Sequence, residues 1–339
     1  MLSGAVEVES AIEHHDIKDP TNNFQPGSTQ TDDIVLATVE LGIDVDFNKY
    51  TKGQVLFLYE EDDTDPVTID QATFILGGIE ETYGCYIKGG KYYPHFGELN
   101  SYFVSSPLTL EVFEINESAI EAGYDGIWFS TVAGVFHGNI EKQLNTDTQI
   151  NGFFADANVH NPPETLGGIS LLAGASYLSN IADSDTLQDE VQDINGDGNT
   201  NDLSDYVAGF AAYLFAEYKR FSFGAEYIMA LDDFRAGEMG YAIDKNGSAQ
   251  KTRPSAWNVE FAFKPIEDVQ LAAKYEGTEE MFGLFPEHQY GGVVSWELIK
   301  NTTLSAEYLH CEYDENNRNA DGQVEDKRDI FTVQLAVEF

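Results

Sequence analysis

Phe331, Val333, Leu335, Val337 and Phe339 take every second position of the stretch Asp329–Phe339, and Thr332, Gln334, Ala336 and Glu338 fill the gaps. A period of two sets a greasy face against a wet one, which is the signature of a strand and not of a helix. The same alternation recurs along the chain. Val35, Ala37, Val39, Leu41, Ile43, Val45 and Phe47 oppose Thr38, Glu40, Asp44 and Asp46. Trp257, Val259, Phe261 and Phe263 oppose Asn258, Glu260 and Lys264, and Val269, Leu271, Ala273 and Tyr275 oppose Gln270, Lys274 and Glu276. Strands are expected at 3–16, 34–47, 53–61, 67–78, 84–93, 110–125, 127–139, 147–160, 166–179, 205–217, 222–233, 254–264, 268–279, 287–298, 302–314 and 326–339, about sixteen in all. The stretches 67–78 and 110–125 alternate poorly, and the sequence leaves their facing open.

The connections alternate too. Short ones fall at 48–52, 79–83, 125–126, 161–165, 218–221, 265–267 and 299–301, and long ones at 17–33, 94–109, 180–204, 234–253 and 315–325. Short turns at one end and long loops at the other suit an all-β chain, residues 1–339, folded as one closed antiparallel transmembrane barrel of about sixteen strands. The short turns and both termini are then expected on the periplasmic side, with the chain in a bacterial outer membrane. Closure is required because an open sheet of this size leaves backbone groups unsatisfied in lipid. A soluble sandwich or a propeller is the competing architecture, although no blade-length repeat is visible. Tyr50, Tyr92, Tyr93, Tyr218 and Phe221, close to strand ends, suit either an interfacial girdle or ordinary strand caps.

Composition changes the picture in three ways. The mean hydropathy of −0.30 is compatible with a barrel, because only alternate residues meet lipid. No run of about 18 apolar residues exists to form a spanning helix. Fifty-nine acids against 18 bases give a net charge of −41, which argues against a nucleic-acid partner. Residue 1 is expected to lie near a mature start, since Leu2-Ser3-Gly4-Ala5 has neither a basic nor an apolar leader. Cys85 and Cys311 fall on non-adjacent expected strands, so no disulfide is expected.

Candidate chemistry sits at three places. The connection 94–109 is long and amphipathic and carries His95, Phe96, Glu98, Asn100, Tyr102 and Phe103. It is expected either to fold into the lumen as a constriction or to pack over the mouth. Glu40, Asp44, Glu226, Glu260, Glu276, Glu297 and Glu307 lie on the polar phase of clean strands, with Lys88, Lys264 and Lys274 among the few bases. Carboxylates aimed into a narrow lumen concentrate cations and repel anions; any polar-lined barrel also has some. Glu114, Glu117 and Glu121 lie on the stretch whose facing is open. In the 180–204 loop, Asp193, Asn195 and Asp197 take positions 1, 3 and 5 of a calcium loop, with the Asn199 carbonyl at position 7. Position 12 is Ser204, so Asp202 or Asp205 would have to complete a Ca2+ site; the other reading is a flexible Asn/Gly/Asp turn. The seven histidines are dispersed, and no nucleophile elbow, His-Glu-x-x-His or phosphate loop occurs, so an enzyme is not expected.

Several stretches resemble a known family. Tyr59-Glu-Glu-Asp-Asp-Thr-Asp-Pro-Val-Thr-Ile-Asp-Gln-Ala is followed by Gly89-Gly-Lys-Tyr-Tyr-Pro-His-Phe-Gly and by Ser106-Pro-Leu-Thr-Leu-Glu-Val-Phe-Glu-Ile-Asn-Glu-Ser-Ala. Pro254-Ser-Ala-Trp-Asn-Val-Glu-Phe, Glu279-Glu-Met-Phe-Gly-Leu-Phe-Pro-Glu and Leu304-Ser-Ala-Glu-Tyr-Leu-His-Cys-Glu-Tyr-Asp follow. In this order they resemble the LbtU-type siderophore porins of bacterial outer membranes, and the last strand, closing on Phe339, resembles that of bacterial outer-membrane barrels in general. The resemblance implies an outer-membrane porin and ferric-siderophore uptake. The function expected is passage of small solutes, cation-preferring, with a ferric siderophore as one cargo and a homotrimer as the assembly by analogy. The alternative is a structural or adhesive surface barrel whose lumen the loops close.

Overall fold

The computed structural model describes residues 1–19, 27–61, 66–143, 150–162, 165–193, 202–244, 246–314 and 324–339. Sixteen strands form one closed antiparallel barrel. The first five are β1 (Leu2–Asp19), β2 (Gly27–Asn48), β3 (Thr51–Tyr59), β4 (Thr68–Gly77) and β5 (Cys85–Tyr92). Then come β6 (Glu117–Asp125), β7 (Phe129–Phe136), β8 (Gly152–His160), β9 (Ile169–Leu178), β10 (Gly209–Tyr218) and β11 (Phe221–Ala230). The last five are β12 (Ser255–Ile266), β13 (Val269–Glu279), β14 (His288–Ile299), β15 (Thr302–Glu312) and β16 (Val324–Glu338).

Every strand pairs with its sequence neighbours, and β1 closes the ring on β16 with Val6 opposite Val337 and Val8 opposite Leu335. Directly opposed residues share a face. Val6, Val8, Leu41, Val45, Phe261, Val294 and Leu335 therefore lie on the outer wall, where they are exposed. The polar partners line the lumen. The outer face of β12–β14 carries an aromatic ladder, with Trp257 and Tyr275 rings 4.6 Å apart and Tyr275 and Tyr290 rings 6.4 Å apart. Tyr92 and Tyr93 belong to no girdle: their hydroxyls point inward and donate to Glu121 and Asp70. Cys85 and Cys311 are free.

Three stretches differ from the sequence reading. The expected strand 110–125 starts only at Glu117, and a short helix α1 (Leu108–Phe113) precedes it. Pro107 caps that helix, and Leu108, Val112 and Phe113 are buried at helical rather than alternating spacing. In β4 the register slips between its partners Leu56 and Phe57, so Ile69 and Gln71 pair while Asp70 is the extra residue. That bulge breaks the alternation, which is why the sequence could not fix the strand's facing. The β1–β2 hairpin is longer than expected, with β2 starting at Gly27. Its added segment is polar on both faces, so no alternation announces it.

Gly90 sits where β5 bends, at φ 139°, and a Cβ there would stand 2.0 Å from the Ala72 carbonyl oxygen across the ladder. Only glycine tolerates that backbone and that approach. Gly90→Ala is expected to destabilise the barrel by about 1–3 kcal/mol, read as an earlier midpoint of urea unfolding in micelles. A midpoint equal to that of the parent chain would refute this account of β5.

Candidate functional site in the barrel lumen

The connection between β5 and β6 crosses the barrel interior, and its irregular backbone has no ladder partner. Buried N–H groups need acceptors, and glutamates on the far wall supply them. Glu226 on β11 accepts from the Glu98 and Leu99 amides at 2.6 and 3.2 Å and from Thr109 Oγ1 at 3.0 Å. Glu260 on β12 accepts from the Ser101 hydroxyl and the Tyr102 amide, each at 2.6 Å. Glu307 on β15 accepts from the Val104 and Ser105 amides at 2.7 and 3.2 Å. Glu276 on β13 accepts from the Leu108 amide at 2.8 Å and pairs with Lys274 at 2.7 Å. Such charge-assisted bonds are the stronger kind. At Gly97, φ is 80° and a Cβ would lie 2.8 Å from Glu226 Oε1, so only glycine lets the chain press this closely on the wall.

The seven lumen acids therefore divide. Glu226, Glu260, Glu276 and Glu307 are buried and occupied by the loop, which corrects the reading of them as carboxylates open to the water of the lumen. Glu40 lines an open chamber. Asp44 and Glu297 lie exposed by the short turns, Glu297 accepting from the Asn301 amide at 3.3 Å. Of the loop residues, His95 Nε2 is 3.6 Å from Glu121 Oε1, and Asn100 donates to Glu98 at 3.2 Å. Phe96 is buried in an apolar core with Val112, Phe113, Ile181, Leu187 and Phe234. The loop before the short helix α2 (Asp185–Asp189) joins that core, and the Asp185 amide donates to the Glu114 carbonyl at 2.8 Å.

Two of the chambers left open in the described interior lie toward β1–β8. The outer one, about 660 Å³, lies among β1–β4, α1 and α2. Glu7, Glu40, Glu60, Asp70, Glu111, Glu114 and Asp185 line it, and among the described residues its lining includes no Lys or Arg. Burial, together with the neighbouring Asp185 charge, raises the Glu114 carboxyl to about 7, and burial raises that of Asp185 to about 6. The inner chamber, about 430 Å³, reaches the short-turn end beside Gly77, Asp125 and Ser130. Sequence reasoning missed most of the outer chamber because its acids come from a bulge, a helix and loops. Asp70 and Glu114 lay on the two stretches whose facing was open.

In the calcium-like segment, Asn195, Asp197 and Asn199 lie outside the described residues. Asp202 begins a two-residue strand that pairs in parallel with Glu141–Lys142. The Asp205 carboxylate is held by Lys142 and, at 3.0 Å, by Arg235, and the Lys142 hydrogen bond keeps its pKa below the usual range.

No family model matches the chain. It is 23% identical over 305 residues to a UPF0422 protein of Legionella pneumophila (strain Lens) and 25% identical over 279 residues to one of Coxiella burnetii. These alignments cover 84% and 78% of the chain but only 55% and 56% of the relatives, so the chain spans little more than half their length. Among solved structures it is similar to an anion-selective porin from Comamonas acidovorans, with a TM-score of 0.65 and 11% identity over 100% of this chain and 99% of that one. It is also similar to OmpF of Salmonella typhi, TM-score 0.62 and 12% identity over 100% and 97%. A third is the outer-membrane channel DcaP of Acinetobacter baumannii, TM-score 0.59 and 12% identity over 100% and 96%. The fold is that of outer-membrane porins.

Removing a wall acceptor should loosen the loop without opening the barrel. In Glu226→Ala, the Glu98 and Leu99 amides are expected to exchange hydrogen roughly ten- to a hundredfold faster. Glu297→Ala, at the rim, should leave them unchanged. Equal exchange in both variants, followed by mass spectrometry, would count against the wall glutamates as anchors.

Proposed function

We propose that this barrel is an outer-membrane porin that passes small solutes and prefers cations, with its short turns and termini in the periplasm. The observation that carries the preference is the outer chamber, whose lining among the described residues holds seven carboxylates and no Lys or Arg. Fixed charge of one sign in a low-dielectric wall concentrates the opposite ion. The anion selectivity named for the Comamonas porin belongs to that protein; the likeness in fold carries no charge pattern with it. A homotrimer is proposed on the analogy of sixteen-strand porins alone. A ferric siderophore, the cargo implied by the sequence resemblance, is tested as a blocker of the same current.

Calcium in the 193–205 loop is a further proposal. Asp193, Asn195, Asp197 and the Asn199 carbonyl would supply four oxygens. Asp202 would have to complete the set, because Asp205 already serves Lys142 and Arg235. Protection of that loop from proteolysis by added Ca2+, lost in Asp197→Ala, is the expected result.

Reversal potentials in a planar bilayer under a salt gradient test the main reading. The expected permeability ratio of K+ over Cl− is on the order of ten near pH 8. As pH falls through 7 and then 6, the Glu114 and Asp185 carboxyls take up protons, the chamber loses negative charge and the ratio drops. Anion preference across the whole range would sink the proposal. A barrel with no conductance would favour the closed structural alternative.

A further inference from the structure

The inner chamber has a different chemistry from the outer one, and the porin reading leaves it without a role. Lys52, Ile75, Lys88 and Glu121 stand opposite one another in register across β3, β4, β5 and β6, forming one row around the inner wall. Neighbouring strands lie about 4.8 Å apart; Asp46 on β2 stands opposite Lys52 at one end of the row, which runs through the two ammonium groups to the Glu121 carboxylate. In a lumen so rich in acids, both lysines would be expected to have found carboxylates. Among the described residues, neither Lys52 nor Lys88 has a carboxylate oxygen within 4.0 Å. The Lys88 ammonium instead lies 3.8 Å above the centre of the Tyr92 ring.

Glu121 shows the matching gap. Its side chain is fully buried, and Tyr92 donates to Oε2 at 3.0 Å. Oε1 has no hydrogen-bond donor, the His95 ring nitrogen standing off at 3.6 Å. A carboxyl oxygen buried without a donor is costly. A donor arriving from the chamber would satisfy it if the half-exposed His95 ring swung aside. Ile75, Tyr86 and Val132 supply an apolar surface between the charged groups. The volume of about 430 Å³ is within the range of small-molecule sites.

We propose that the inner chamber is a binding subsite for a small zwitterion of the amino-acid or dipeptide kind. Its carboxylate lies between Lys52 and Lys88, and its ammonium donates to Glu121 Oε1. The proposal rests on the porin reading, since the acidic outer chamber admits the ammonium end and the lysines then receive the carboxylate. A simple cation lacks the second charge and passes the row without being held.

Calorimetric titration of the micelle-solubilised chain tests this with glycyl-phenylalanine, its C-terminal amide and its N-acetyl form. The zwitterion is expected to bind about tenfold more tightly than either single-charged form. Lys88→Met should weaken the zwitterion and the N-acetyl form about tenfold and spare the amide. Glu121→Gln should weaken the zwitterion and the amide and spare the N-acetyl form. Lys52→Met repeats the first pattern without touching the Tyr92 contact, in case Lys88→Met fails to fold; mobility of unboiled protein on a denaturing gel reports folding. No heat from the dipeptide, or equal binding of all three probes, overturns the subsite, even if the barrel conducts KCl. Dipeptide binding in a barrel that carries no KCl current would overturn passage and leave the subsite standing.

Discussion

A chain that crosses the inside of a barrel must find acceptors for its backbone N–H groups, and in this protein four wall glutamates meet that need. Glu226, Glu260, Glu276 and Glu307 stand on β11, β12, β13 and β15 and receive the loop from Glu98 to Leu108. The rest of the lumen follows from this seam. With the loop drawn to the β11–β15 wall, Phe96, Val112 and Phe113 pack with Ile181, Leu187 and Phe234 into an apolar core. The loop fills much of that side, leaving a space between Ser101, Tyr102 and Glu217, and the outer and inner chambers lie toward β1–β8. Carboxylates suit the task because each has two oxygens, and several here accept from consecutive amides. A neutral amide side chain in the same place would offer one acceptor oxygen instead of two and would lack the charge that strengthens these bonds.

The barrel itself was largely legible. A period of two is imposed by lipid outside and water inside, and it appears wherever a strand is flanked by both. The sequence failed where one of those conditions lapses. At Asp70 an extra residue puts two successive side chains on the chamber side, so the alternation breaks though the strand continues. Leu108–Phe113 packs Leu108, Val112 and Phe113 against protein and turns Glu111 to the outer chamber, and its apolar spacing is helical. The upper β1–β2 hairpin has water on both sides, so nothing selects for alternation between Gly27 and Asp33.

The candidate site was half legible. Length and amphipathicity singled out the loop of His95, Glu98, Asn100 and Tyr102, and the polar phase singled out the wall acids. Which acids face open water could not be read from phase alone. Glu226 and Glu40 both occupy inward positions, yet one is filled by loop amides and the other borders a chamber. That difference depends on where a separate segment of chain comes to rest. Asp185 and Glu111 lie on short helices and have no strand phase to betray them.

The acidic excess therefore performs two unlike tasks within one lumen. Carboxylates that meet backbone amides act as fasteners, buried with their oxygens taken up by the loop. Acids outside that seam line the outer chamber, and there burial, with the neighbouring Asp185 charge, raises the Glu114 carboxyl to about 7. Loss of water around the carboxyl is the larger cause of that rise, and the negative neighbours add to it. The net charge of −41 is thus a poor guide to the lumen by itself. What matters is how many of its acids the loop has already claimed.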